Sequence, residues 1–142
     1  MSQEELRELL ESAKVIAVVG LSPNPDRPSN QIAWYLHHQG YELYGVNPFG
    51  GQREVFGVPL VASLDQVPKA IDVVDVFRRA AHTPEVARGA VAVGARALWL
   101  QLGLRSAEAR SIAEAAGLSY VEDHCIKVEH ARLIGSSARP SR

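Results

Sequence analysis

The chain has one cysteine, Cys125, which by itself rules out an intrachain disulfide and with it a small stapled extracellular scaffold. No apolar run approaches membrane-spanning length. The N-terminus carries Glu4, Glu5, Arg7, Glu8 and Glu11 and lacks the apolar core that follows a basic stretch in a secretory signal. The expected compartment is the cytosol, so the localisation expected is cytoplasmic. Net charge is nearly absent too: 15 Lys and Arg stand against 16 Asp and Glu, a formal −1. No chain-wide field draws nucleic acid or an anionic membrane, neither is expected as a partner, and any anion site must be local.

A catalytic constellation is also missing. There is no Gly-x-Ser-x-Gly elbow, no phosphate loop ending Gly-Lys-Ser/Thr, and no carboxylate pair that stands out. His37 and His38 are adjacent on a helix and face differently, while His82, His124 and His130 lack a tight ligand spacing, so no metal site is expected.

What is present suffices for one α/β domain. Of 142 residues, 46% are apolar and 22% charged, the balance of a water-soluble globular protein able to bury a core without staples. Residues 1–135 are expected to form this domain and 136–142 a polar tail. Leu6, Leu9 and Leu10 recur at helical spacing among charges. Five short apolar runs read as strands: Val15 to Val19, Tyr41 to Val46, Ile71 to Phe77, Ala97 to Leu102 and Leu118 to Val121. Between them lie helical patterns, one capped by Ser29 and ending at Gly40, one opened by Thr83-Pro84-Glu85 and one capped by Ser106. Residues 54–61 read as a small extended excursion turning at Gly57, Ser63 to Val67 as one helical turn, and Ile126 to Ile134 as a strand end or a helix.

Strands alternating with helices require right-handed crossovers, and hence a doubly wound, three-layer sandwich around a mostly parallel five-stranded sheet. Ligands of such sheets bind outside the carboxyl ends of the strands. The first strand ends in Gly20-Leu21-Ser22-Pro23-Asn24-Pro25-Asp26-Arg27-Pro28-Ser29, which keeps only the first glycine of a Gly-x-Gly-x-x-Gly fingerprint. Ser22, Arg27 and a helix N-terminus could receive a phosphate there, or the loop is simply stiffened by proline. Asn47-Pro48 stands where a nicotinamide dinucleotide fold carries an acid for the ribose. Gly50 and Gly51 follow as turn formers.

Phe77-Arg78-Arg79 sets an aromatic ring and positive charge at the third strand end, suited to adenine and phosphate, or else a solvated arginine pair. Gln101 is polar within an apolar run, either a satisfied core residue or a ligand contact, and Gly103 would leave the backbone open to a ligand. Cys125 would be a reactive thiol if His124 and Lys127 converged on it, and otherwise a small buried hydrophobe. Trp34 is expected in the core.

Taken together, Ala17-Val18-Val19-Gly20-Leu21-Ser22, Asp26-Arg27-Pro28-Ser29, Val46-Asn47-Pro48, Ile71 to Arg78, Trp99 to Gly103 and Cys125 to His130 resemble the small stand-alone CoA-binding proteins. These are similar to the N-terminal nucleotide-binding domain of the succinyl-CoA synthetase α subunit. The resemblance implies a Rossmann-like sheet that grips coenzyme A or an acyl-CoA through the loops after its first four strands. It points to Gly20, Ser22, Pro23, Asn47, Pro48, Phe77, Arg78, Gln101, Leu102 and Gly103, with Arg27 added on grounds of charge. The synthetase loop is richer in glycine and has a lysine for the CoA phosphates, a role left here to Arg27 and Arg78. No counterpart of the domain that carries the synthetase's phosphohistidine is expected within these 142 residues, so ligase chemistry is not implied. A thiol-dependent CoA-linked enzyme or redox protein using Cys125, and a nicotinamide-dinucleotide-sensing domain, are the alternatives.

Overall fold

The computed structural model describes residues 1–48 and 53–135. The turn formers Gly50 and Gly51 and the tail 136–142 lie outside the described residues. Helix α1 (Gln3–Ser12) opens with a capping box: the Ser2 hydroxyl accepts from Glu5 N–H and the Glu5 carboxylate accepts from Ser2 N–H. It buries Leu6, Leu9 and Leu10 against the sheet.

Strand β1 (Val15–Val19) is buried at every position, as the lack of polar alternation in its sequence requires. It lies between β2 (Glu42–Val46) and β5 (Val73–Val76), with both pairings parallel. β6 (Ala97–Leu100) and β7 (Ser119–Val121) extend the sheet in parallel beyond β5. The five strands read from the sequence are all present. The sheet nevertheless has seven strands, in the order β3-β4-β2-β1-β5-β6-β7. The two additions are β3 (Glu54–Val55) and β4 (Val58–Val61), an antiparallel hairpin that turns through Phe56 and Gly57. β4 docks in parallel on β2 through Gly45–Leu60 and Val46–Val61. Gly45 lies close beneath two leucines: a Cβ there would stand 2.3 Å from the Leu60 side chain and 2.7 Å from that of Leu21, so a larger residue would make both shift.

The layers follow from strand alternation. Ile16, Val18, Val73 and Trp99 pack beneath α1, α2 (Pro28–His38) and α5 (Ile126–Leu133). Ala17, Val19, Val74 and Leu98 pack beneath α3 (Thr83–Ala92) and α4 (Ala107–Ala115), whose small Ala87, Ala90, Ala109 and Ala113 let the helices approach closely. Residues 126–133 are thus helical, deciding between the two readings of that segment.

Two expected caps sit differently. Pro28 occupies the first helical position of α2, so Arg27 is the N-cap and Ser29 lies inside the first turn. Thr83 is the first residue of α3, and its hydroxyl donates to Ala80 O at 2.7 Å, which ties the helix to the 3₁₀ turn at Ala80–His82. Ser106 caps α4 as expected, accepting from Ala109 N–H. Trp34 is not in the core: it is 51% exposed and meets Phe56 edge to face.

Candidate functional site

β1, β2, β5 and β6 all end on one edge, and β1 sits where the strand order reverses, so the loops after β1 and β5 part there and leave a crevice. Gly20 makes the first turn with φ +92°, donating its N–H to Val46 O at 2.7 Å. The loop 21–29 is then fastened to the first turn of α2. Ser22 N–H donates to Ser29 Oγ at 3.0 Å, Asn30 Nδ2 to Ser22 O at 2.9 Å, and Asn47 Nδ2 to Leu21 O at 3.0 Å.

A cleft of about 600 Å³ opens beside this loop. It brings together Gly20, Ser22 and Arg27 from the loop with Phe77 and Arg78 from the end of β5. Gln101, Leu102 and Cys125 line it from the side of β6 and α5. A second cleft of about 620 Å³ lies at the same edge, over the sheet face that packs on α3. Val19, Val46, Pro48, Leu64 and Val86 line it, and so does Arg78, which therefore borders both spaces.

Four expected contacts lie elsewhere or are differently engaged. Pro23 lines a separate groove beside Trp34 and Phe56. Asn47 lines neither cleft, and its amide supports the first loop. Pro48 belongs to the second cleft only. Gly103 is exposed with open space beside its Cα, but its N–H is engaged, donating to Asp123 Oδ1 at 2.7 Å. That hydrogen bond, followed by the one from Arg105, holds the Asp123 carboxyl below the usual range.

Cys125 is half-buried and is the N-cap residue of α5. Both of its neighbours are held by β6 and its end: Trp99 Nε1 donates to His124 O at 2.8 Å and Ile126 N–H donates to Gln101 Oε1 at 3.1 Å. His124 and Lys127 do not converge on the thiol. The His124 ring donates to Glu122 O, and the Lys127 ammonium stands 5.5 Å from the centre of the Tyr35 ring. Arg79 is exposed and lines neither cleft, so the arginine pair divides into one site residue and one solvated residue. No group of three or more His, Cys, Asp or Glu able to hold a metal occurs among the described residues. None of their helices is long and apolar enough to cross a membrane.

Beneath the crevice, Asp75 pairs in register with Val18 and Trp99 and is fully buried. Neither carboxylate oxygen has a hydrogen-bond partner among the described residues, and burial pushes its pKa well above the carboxylate range. Sequence reading missed the clamp formed by Ser29 and Asn30, although the signal was there: both are polar at inward positions of a helix that otherwise buries Ile32, Ala33 and Leu36.

Residues 14–131 match the family described as CoA binding domain. The chain belongs to that family. An uncharacterised Bacillus subtilis protein, YneT, is 41% identical over 130 residues, covering 92% of this chain and 95% of that one. A hypothetical protein from Pyrococcus horikoshii OT3 has a solved structure that superposes with a TM-score of 0.90 at 38% identity, covering 95% of this chain and 94% of the other. The ADP-forming acetate–CoA ligase I of Archaeoglobus fulgidus is 28% identical over 125 residues. These are 80% of this chain and 18% of the ligase, so the CoA-binding domain here matches only a small part of that enzyme.

Proposed function

We propose that the protein is a binding module that holds coenzyme A or an acyl-CoA across the two clefts at the carboxyl edge of the sheet. The observation that carries this reading is Arg78, which borders both clefts. Coenzyme A has two bulky halves joined by a diphosphate, and a guanidinium at the divide meets that charge with several donors at once. The nucleotide half fits the cleft lined by Val46, Pro48 and Val86, whose apolar walls suit a planar base. The pantetheine arm then follows Ser22, Arg27 and Phe77 toward Gln101 and Cys125. Membership of the CoA-binding domain family supports this choice of ligand, as does Asn47 just after β2, whose amide offers one neutral acceptor oxygen where a dinucleotide fold has the two charged oxygens of an acid.

Calorimetric titration of the full chain with CoA, dephospho-CoA and NAD tests the reading. Saturable binding of CoA in preference to NAD is the expected result. Tighter binding of NAD, or no binding of any of the three, sinks it.

A further inference from the structure

Cys125 and Gln101 share the end of the first cleft away from the phosphate-suited residues, and their geometry has a chemical consequence. Gln101 is 5% exposed, yet it lines the cleft. Its Oε1 accepts from Ile126 N–H, which fixes the orientation of the amide and leaves Nε2 as the donor on the other side. Nε2 makes no hydrogen bond among the described residues and is not one of their fully enclosed unpartnered polar atoms, so it is open to the cleft. An amide donor open at a cleft wall, on a side chain held in place from behind, can pair with an acceptor on whatever occupies the cleft. Cys125 lines the same space with both of its chain neighbours held by hydrogen bonds; since neither His124 nor Lys127 activates the thiol, its selectivity comes from seating the disulfide in the cleft.

From this we infer that Cys125 is a thiol–disulfide exchange site for CoA disulfide, seated with one CoA half in the cleft and a pantetheine amide carbonyl accepting from Gln101 Nε2. The inference rests on the CoA-binding reading above. In the exchange, the Cys125 thiolate attacks the disulfide sulfur of the seated half. The new Sγ–S bond forms as the S–S bond of CoA disulfide breaks. The electron pair leaves on the sulfur of the second CoA, which takes up the proton that Cys125 gave to solvent. Cys125 is oxidised, one CoA is released reduced, and no further oxidant is needed. With one cysteine in the chain, no second thiol can resolve the product internally, so the mixed disulfide persists until an external thiol reduces it.

Intact-mass measurement of the full chain, exposed separately to CoA disulfide and to glutathione disulfide at equal concentration, tests the inference. Glutathione disulfide offers the same bond without the nucleotide. Expected is one dithiothreitol-reversible CoA adduct per chain, formed at least about tenfold faster than the glutathione adduct and slowed by desulfo-CoA, which has no thiol. The adduct is lost in Cys125→Ser. Equal rates with the two disulfides, or indifference to desulfo-CoA, overturn it. So does a hydroxylamine-labile acyl adduct from acetyl-CoA with no CoA disulfide adduct, which would make Cys125 an acyl acceptor instead. Calorimetry with desulfo-CoA separates the two levels: binding without CoA-selective labelling overturns the exchange and leaves the binding reading standing, whereas absence of both overturns both.

Discussion

The backbone carbonyl of Phe77 lies 2.7 Å from where a Cβ on Gly20 would stand. The turn after β1 and the end of β5 therefore touch backbone to backbone, where Phe77 N–H also donates to Val19 O at 2.8 Å, and the lack of a Cβ at Gly20 permits the spacing that shapes the first cleft. Gly20→Ala meets both this contact and a φ of +92°. A left-handed conformation alone costs a residue with a Cβ about 1–2 kcal/mol. Gly117 has φ +83° and open space around the same position, so Gly117→Ala carries only that cost. Urea denaturation should show Gly20→Ala losing clearly more stability than Gly117→Ala; equal losses would mean that the Phe77 contact relaxes freely.

Arg78 and Arg79 are neighbours in sequence with opposite surroundings, the first bordering two clefts and the second exposed beside neither. A charge-assisted hydrogen bond to a diphosphate is worth about 1.5–3 kcal/mol, or about 10- to 100-fold in affinity. Arg78→Ala is expected to weaken CoA binding by that factor in calorimetry, and Arg79→Ala to change it by less than about twofold. Similar losses in both variants would show that the positive charge acts only as a diffuse field.

The strands were legible because each is a short, largely apolar run, with Gly20, Pro48 and Gly103 closing three of them, and the order of strand and helix then restricts the topology to a doubly wound sheet. Less was legible where a local rule competed with another. Pro28 at the first turn of α2 fixed the start of the helix and displaced Ser29 from the cap, although a hydroxyl there looked like one. The extended excursion at residues 54–61 and its turn at Gly57 were legible, but not that β4 joins the sheet, since it does so through only two paired positions beside Pro59. At the site, the loops were identifiable but their division into two clefts was not. Which face Pro48 or Arg78 serves depends on how the strand ends splay, and Gly103 is engaged by an Asp123 that lies 20 residues away in sequence.

Gln101 connects the site to the fold through Ile126. Gln101→Leu keeps the side-chain volume but leaves the buried Ile126 N–H without its acceptor, a loss of about 1–3 kcal/mol. It also removes the Nε2 donor from the cleft. Thermal unfolding and CoA titration should both register the change. A variant as stable as the parent would mean that Ile126 N–H finds another partner, and the orientation assigned to the Gln101 amide would lose its basis.

Asp75 gives the stability of the protein a distinctive pH dependence. Its pKa in the folded state is raised well above the ordinary 3.8 by complete burial. Between those two values the folded protein holds a proton that the unfolded chain has released, so stability falls as pH rises through this interval. For one proton the slope is at most about 1.4 kcal/mol per pH unit. Asp72, three residues earlier, contributes the opposite trend. Burial raises its pKa, but the hydrogen bonds from Val15, Lys14 and Arg96 outweigh that effect and hold it low, so its stabilisation is lost as pH falls through its depressed folded-state value. Asp75→Asn separates the two. The amide is uncharged at every pH and occupies the same volume, so the variant keeps the acid limb set by Asp72 and loses the decline above pH 4. Denaturation between pH 3 and pH 8 should show wild type and Asp75→Asn close together at the acid end, with the variant increasingly more stable toward neutrality. Parallel profiles would mean that the Asp75 carboxyl ionises normally in the folded protein and is hydrated or paired at its site.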